Sequence, residues 1–347
     1  MIEAIKIGNR LVGDGHPCFV IAEIGSNHNG DWALALEMID AAADAGVDAV
    51  KFQTFRAATH VSSKARAPSY LKTDTKLQDI IKALEINRDW HQPLLDYCQA
   101  KNLICFSSPC DREAVDELDA AGAPVHKVAS FDLPDTDLIG HIAAKGKPVI
   151  LSTGMADWMD IQRAMDVCYS VGNRQVVLMQ CTSLYPAPVG LSNLAAMDTM
   201  RRAFRVLTGY SDHTMGDTVT CAAVARGACM IEKHFTMRRD LPGPDHPFAI
   251  EPAELRLMMQ RIRETEAALG DGVKNGPRPE EREMADLARR SLHAATDIPA
   301  GTVITSDMLT IKRPGLGVSP SLRSAVVGRV AKHAIEADCW ITWDMLG

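Results

Sequence analysis

The sequence predicts an α/β protein, a (β/α)8 barrel followed by a small β-rich domain. Eight short apolar runs rich in β-formers alternate with amphipathic helical stretches over about 250 residues, the order of a parallel sheet and the length of an eight-unit barrel. Polar residues follow nearly every run. An open doubly wound sheet would concentrate them at one switch point and would typically open on a Gly-rich turn, but no GxGxxG follows the first run. After Gly270 the pattern turns to short strands and tight turns with no long helix.

The segment IKIGNRLVG, 5–13, reads as a hairpin ahead of the barrel. The strand runs lie at 19–23, 49–53, 103–107, 125–129, 149–152, 176–181, 206–209 and 230–234. Helical patterns occupy 32–45, 88–100, 111–121, 135–144, 158–171, 194–203 and 218–226, and 252–269 follows the last strand. Glycines at 46, 122, 146, 172 and 227 close several of these as helix C-caps. Residues 1–270 are therefore assigned to the barrel with its hairpin. Residues 271–287, rich in Gly, Pro and charge, are assigned to a linker, and 288–347 to the small domain. So short a domain is not very stable alone and is expected to dock on the barrel or on a partner subunit.

The chain of 347 residues is 46% hydrophobic and 23% charged, an ordinary globular profile. A net charge of −7 without a basic run gives no electrostatic reason to expect nucleic acid or an anionic membrane. There is no run of 18 apolar residues and no signal-peptide pattern. Nine scattered cysteines without a CxxC suit a reducing compartment, so a cytoplasmic protein is expected, without a zinc-thiolate site.

The chemistry gathers at the strand ends. The first run, FVIAEIGSNHNG, delivers Glu23, Asn27, His28 and Asn29; the second delivers Lys51 and Gln53; the third, Ser107 and Ser108. The fourth adds Lys127, Ser130 and Asp132, the fifth Ser152 and Thr153, and the sixth Gln180, Thr182, Ser183 and Tyr185. The seventh ends in Ser211, Asp212 and His213, the eighth in Glu232 and His234. Two lysines in buried strands are costly unless they meet an anion or lose their charge. With Ser and Thr hydroxyls they suit a phosphate or carboxylate cradle; the plainer reading pairs Lys51 and Lys127 with Glu23 or Asp132. His213 and His234, at neighbouring strand ends, can share one divalent metal, with Glu232 or Asp245 supplying a carboxylate or holding a metal-bound water. Glu23 can neutralise lysines or serve as a general acid or base. Tyr185 is either a packed aromatic or a ligand-lining one.

Taken together, AEIGSNHNG, VKFQTF, KVAS, ILSTGM, QCTSLYPAP, GYSDHT, IEKHFT and GPDH resemble the sialic acid synthase family, which includes N-acetylneuraminate, legionaminate and pseudaminate synthases. DIPAGTVITSDMLTIKRPG is similar to the antifreeze-like (SAF) domain that ends those enzymes. The resemblance covers nearly the whole chain in the right order. It implies condensation of phosphoenolpyruvate with an N-acylated mannosamine-type sugar, giving a nine-carbon 2-keto acid and phosphate, with a divalent metal, Mn²⁺ or Mg²⁺. Carried over by motif, His213 and His234 would be the metal ligands. Lys51, Lys127, Ser108, Ser152 and Ser211 would cradle phosphoenolpyruvate, with Ser130 a further candidate. Glu23 would be the acid/base residue, Glu232 would support the metal's water, and Gln53, Tyr185 and Asp245 would face the sugar. Arg313, in KRPG, would reach the sugar's N-acyl group from the SAF domain of the other subunit, which implies a domain-swapped homodimer. Asp132, also near the sugar, stands where the family commonly has a glutamate. The alternatives are a 2,4-diacetamido hexose as the sugar, a Schiff-base aldolase using Lys51, Lys127 or Lys233, and a non-catalytic binding protein.

Overall fold

A computed structural model describes residues 2–66 and 75–347. The chain divides into two compact units, Met1–Gly270 and Asp271–Gly347. Unit one opens with the antiparallel hairpin β1 (Ile5–Ile7) and β2 (Arg10–Val12). Eight strands follow: β3 (Phe19–Gly25), β4 (Ala49–Thr54), β5 (Ile104–Pro109), β6 (His126–Val128), β7 (Val149–Ser152), β8 (Val176–Cys181), β9 (Leu207–Asp212) and β10 (Met230–His234). Every ladder among them is parallel, in the order β5-β4-β3-β10-β9-β8-β7-β6. β5 and β6, at the ends of that order, lie side by side and close the barrel. All eight expected strands form. β9 runs on to Asp212 because Tyr210, Ser211 and Asp212 pair with β10.

Helices cover the outside: α1 (Trp32–Ala45), α2 (Ala57–His60), α3 (Leu77–Ala83), α4 (His91–Ala100), α5 (Arg112–Ala120), α6 (Thr136–Ala143), α7 (Trp158–Ser170), α8 (Ala195–Phe204), α9 (Thr218–Ala225) and α10 (Pro252–Leu269). Their ends follow local chemistry. The Asp31 side chain accepts from the backbone N–H of Ala33 and Leu34 at the start of α1, and Gly46 ends that helix at φ 79°, where a side chain would be strained. Three elements differ from the sequence reading: Arg88–Trp90 forms a separate 3-10 turn before α4, and α2 and α3 fill a connection for which the pattern suggested nothing. Among the described residues no helix is long and apolar enough to cross a membrane.

Alternation along the strands divides the core. Outward residues such as Val20, Ala22 and Ile24 pack against Ala35, Met38 and Ile39 of α1. Val149 and Leu151 pack likewise against Ile139 and Ile142 of α6. Inward residues Ile21, Phe106, Ile150, Val177, Met179, Leu207 and Met230 meet Ile5, Ile7 and Val12 of the hairpin, which plugs the N-terminal end of the barrel. Burying each such side chain is worth about 1.5–3 kcal/mol.

Unit two has its own core of Leu292, Ile298, Ile304, Leu309, Val326 and Ile341 around the antiparallel pair β11 (Ser291–Ala294) and β12 (Leu309–Lys312), with a short helix at Arg323–Val326. Within the stretch read as a linker, Arg282–Ala288 is helical, so that segment is not all loop.

Candidate active site

Along β3, β4, β5, β7 and β10, the inward residue at the C-terminal end changes from apolar to polar. Glu23, Lys51, Ser108, Ser152 and Glu232 stand above Ile21, Ala49, Phe106, Ile150 and Met230. They line one cavity of about 200 Å³ together with Gln53, Lys127, Ser130, Asp132, Tyr185, Ser211, His213, His234 and Asp245. All the site residues expected in the barrel therefore meet in one place. Arg313 lies on unit two, exposed, just past β12.

The floor is a network of two lysines and two glutamates. Strand register sets Glu23 opposite Lys51 and Ser211 opposite Glu232. Lys51 Nζ lies 2.9 Å from Glu23 Oε1, which also accepts from Gln53 Nε2 at 2.8 Å. Lys51 donates to Ser108 Oγ at 3.1 Å and stands 3.7 Å from Glu232 Oε2. Lys127 donates to both Glu232 oxygens, at 2.9 and 3.1 Å, and Ser211 Oγ donates to one of them at 3.0 Å. Internal ion pairs thus form, with Glu232 rather than Asp132 as the partner of Lys127.

The two carboxylates share a burial penalty but differ in its outcome. Burial pushes Glu232 up, but Lys127 and Lys51 outweigh it and hold the group at about 2. At Glu23 burial prevails over Lys51, Glu232 adds repulsion, and the group rises to about 7. One carboxylate is a fixed counter-ion; the other exchanges a proton near neutrality, as paired carboxylates with separate roles do. Several buried atoms around the cavity accept or donate no hydrogen bond: Glu23 Oε2, Asp132 Oδ2, Ser152 Oγ, Ser183 Oγ and His234 Nδ1. Buried polar atoms are rarely left unpaired, so such a cluster has the character of a site that a polar ligand completes.

Across the cavity, His213 Nδ1 lies 2.8 Å from the Thr182 carbonyl; donation there leaves Nε2 with a free lone pair. His234 Nδ1 lies 3.5 Å from Asp245 Oδ2, and the two imidazole rings are 5.3 Å apart. Burial above all holds His234 well below its ordinary value, so it is neutral, as a metal ligand must be. Burial also raises Asp245 to about 6. Tyr185 packs on His213 at 4.4 Å and on Phe248 at 5.4 Å, so it is both a packed aromatic and a cavity wall. Two imidazoles with a carboxylate at hand fit a divalent cation. Among the described residues, though, three potential donors come within 4.8 Å of one another only at His60, Cys110 and Asp132, so the histidine pair would draw further ligands from water or substrate.

Other sequence features separate from the cavity. Lys233 alternates to the outside of the barrel, where it pairs with Asp212 at 2.8 Å, and so drops out of any imine chemistry. Asn27 donates to the Phe235 carbonyl at 2.9 Å, and His28 is fully buried beside Phe52 and Trp90 with Nδ1 accepting from the Gly30 N–H. That turn braces the loop after β3; of its residues Ser26 lines the cavity. Sequence reasoning missed the apolar wall formed by Phe55, Leu77, Ile80, Ile81, Leu84 and Phe131. The spacing 77, 80, 81, 84 was a helical stripe that could have signalled it.

The chain matches the NeuB family over residues 38–274 and the SAF domain over residues 289–347. It is 40% identical over 325 residues to the N,N'-diacetyllegionaminic acid synthase of Campylobacter jejuni, covering 92% of this chain and 97% of that one. It is 38% identical over 340 residues to the synthase of the same name from Legionella pneumophila, covering 96% and 95%. The crystal structure of the N-acetylneuraminic acid synthetase from Leptospira borgpetersenii aligns with a TM-score of 0.74 at 33% identity, covering 82% of this chain and 95% of that one. A (β/α)8 barrel with a charged mouth and relatives of this kind define a biosynthetic enzyme, a synthase that forms a carbon–carbon bond. The chain belongs to the NeuB family and ends in a SAF domain.

Proposed function

We propose that the enzyme condenses phosphoenolpyruvate with an N-acylated mannosamine-type sugar, giving a nine-carbon 2-keto sugar acid and phosphate. The observation that carries this reading is the convergence of Lys51 and Lys127 with Ser108, Ser152 and Ser211 at the cavity floor, Ser152 with no partner of its own. Between the two candidate sugars, the names of the Campylobacter and Legionella relatives support a 2,4-diacetamido hexose over N-acetylmannosamine.

In this reading the lysines and serines hold the carboxylate and phosphate of phosphoenolpyruvate and set its C3 toward the sugar's aldehyde carbon. His213 and His234 would hold a divalent cation, Mn²⁺ or Mg²⁺, which would supply Lewis-acid chemistry when bound. The C3 carbon bonds to the aldehyde carbon, whose oxygen becomes a hydroxyl by taking the proton that the attacking water gives up through Glu23. Water adds at the electron-poor C2, and its proton passes to Glu23, whose Oε2 is free to take it. The C2–O bond then breaks, phosphate leaves with the electron pair and takes up the C2 hydroxyl proton, and the ketone forms. Glu232 keeps Lys127 and Lys51 charged and in place, while Gln53, Ser130, Asp132, Tyr185 and Asp245 face the sugar. Arg313 would come from the SAF domain of a second copy, in a domain-swapped homodimer. Exposed apolar side chains in the connections after β6, β7, β8 and β9, namely Phe131, Met155, Leu184, Met215 and, at the start of α7, Trp158, support a partner over the barrel mouth.

The test is phosphate release from phosphoenolpyruvate with Mn²⁺ against a panel of N-acyl hexosamines. Sugar-dependent release that stops on chelation is expected. Absence of release with every sugar overturns the reading.

A further inference from the structure

The cavity has a second chemistry that the proposed reaction does not use. Leu77, Ile80, Ile81 and Leu84 stand at i, i+3, i+4 and i+7 on α3, so they form one stripe of that helix, and all four are half-buried against the cavity. Asp79, Lys82 and Ala83, on its other faces, are exposed. Phe55, just past β4, and Phe131, just past β6, continue the wall. In the closed ring β5 stands four strands from β9 in either direction. The wall, borne by the connections around β5, therefore faces the side on which His213 follows β9.

Resting on the reaction proposed above, we infer that α3 forms the subsite for the part of the sugar beyond its C2 substituent, and that it selects an apolar group there, such as the methyl of a second N-acetyl group at C4, over a phosphate or a free hydroxyl. The sugar's carbonyl end lies at the histidine side, so the remainder of the molecule extends across the mouth to the wall. Among the described residues, the only lysines or arginines lining the cavity are Lys51 and Lys127, both bonded to glutamates at the floor. Held against α3, a distal phosphate would lose its water to leucine and isoleucine, while both lysines are engaged at the floor. An acetyl methyl gains by the same loss of water. A hydrophobic pocket that distinguishes one such group does so by roughly 10-fold or more.

The experiment measures kcat/KM by phosphate release for three sugars: a 2,4-diacetamido hexose, N-acetylmannosamine and N-acetylmannosamine 6-phosphate. The wild-type chain is compared with Ile81→Asn, Leu84→Asn and the conservative Ile81→Leu. The wild type should prefer the diacetamido sugar by roughly 10-fold or more, with the phosphorylated sugar poorest. The preference should fall toward parity in both Asn variants and persist in Ile81→Leu. A general structural defect would lower all three rates together and leave their ratios in place. Unchanged ratios in the Asn variants overturn the inference, as does a wild-type ratio of one or a preference for the phosphorylated sugar. The wild-type ratio needs no variant, so a misfolded variant leaves the test standing. Release with none of the sugars would instead remove the proposed reaction itself, and the inference with it.

Discussion

In the lower half of the barrel, Ile21, Ala49, Phe106, Ile150 and Met230 close on the hairpin with almost no exposed surface. Two residues further along the same strands stand Glu23, Lys51, Ser108, Ser152 and Glu232, just as deeply buried. The lower layer is complete in itself. The upper layer holds opposite charges in balance and leaves Glu23 Oε2 and Ser152 Oγ without partners. Height along a strand, rather than burial, separates the residues that close the base of the barrel from those that line the cavity.

The strongest way to break this contrast is Glu232→Ala. It leaves Lys127 buried and uncompensated, so stability should fall by about 3–5 kcal/mol in urea unfolding. Turnover should fall by about 10²–10³-fold in phosphate-release assays. If only stability changes, the upper layer is merely structural. In the lower layer, Phe106→Ala should also cost about 3–5 kcal/mol, yet leave the KM for phosphoenolpyruvate of the folded protein unmoved. A large rise in that KM would erase the division between the layers. His213→Ala should weaken Mn²⁺ binding, read by titration calorimetry, by about tenfold or more, with little change in unfolding midpoint. Normal, chelator-insensitive turnover in that variant would remove the metal role.

The mildest effect is on pH. Glu23 carries its proton below about 7 and cannot accept another, whereas above that value it is a carboxylate. The kcat/KM profile, which reports the free enzyme, should rise with pH through about 7 and level off. Glu23→Gln should abolish that limb; a limb that survives belongs to another group.

The eight strands and the polar strand ends were readable because period-two alternation and local turn chemistry act over a few residues. Pairing was less readable. Lys127 and Glu232 are 105 residues apart, and nothing local tells Lys127 to choose Glu232 over Asp132. The position of Lys233 follows from alternation, since it lies between two inward residues, Glu232 and His234. The roles of Asn27 and Asn29 do not, because their partners Phe235 and His246 come from the far end of the barrel unit.

The sequence by itself determined that eight strands would alternate with helices and bring acids, lysines, serines and histidines to one end, because spacing and residue type suffice for that. Only the tertiary structure decided that Glu23 titrates near neutrality while Glu232 stays ionised, and that α3 walls the cavity. Both depend on burial and on distances between segments, which exist only once the ring has closed.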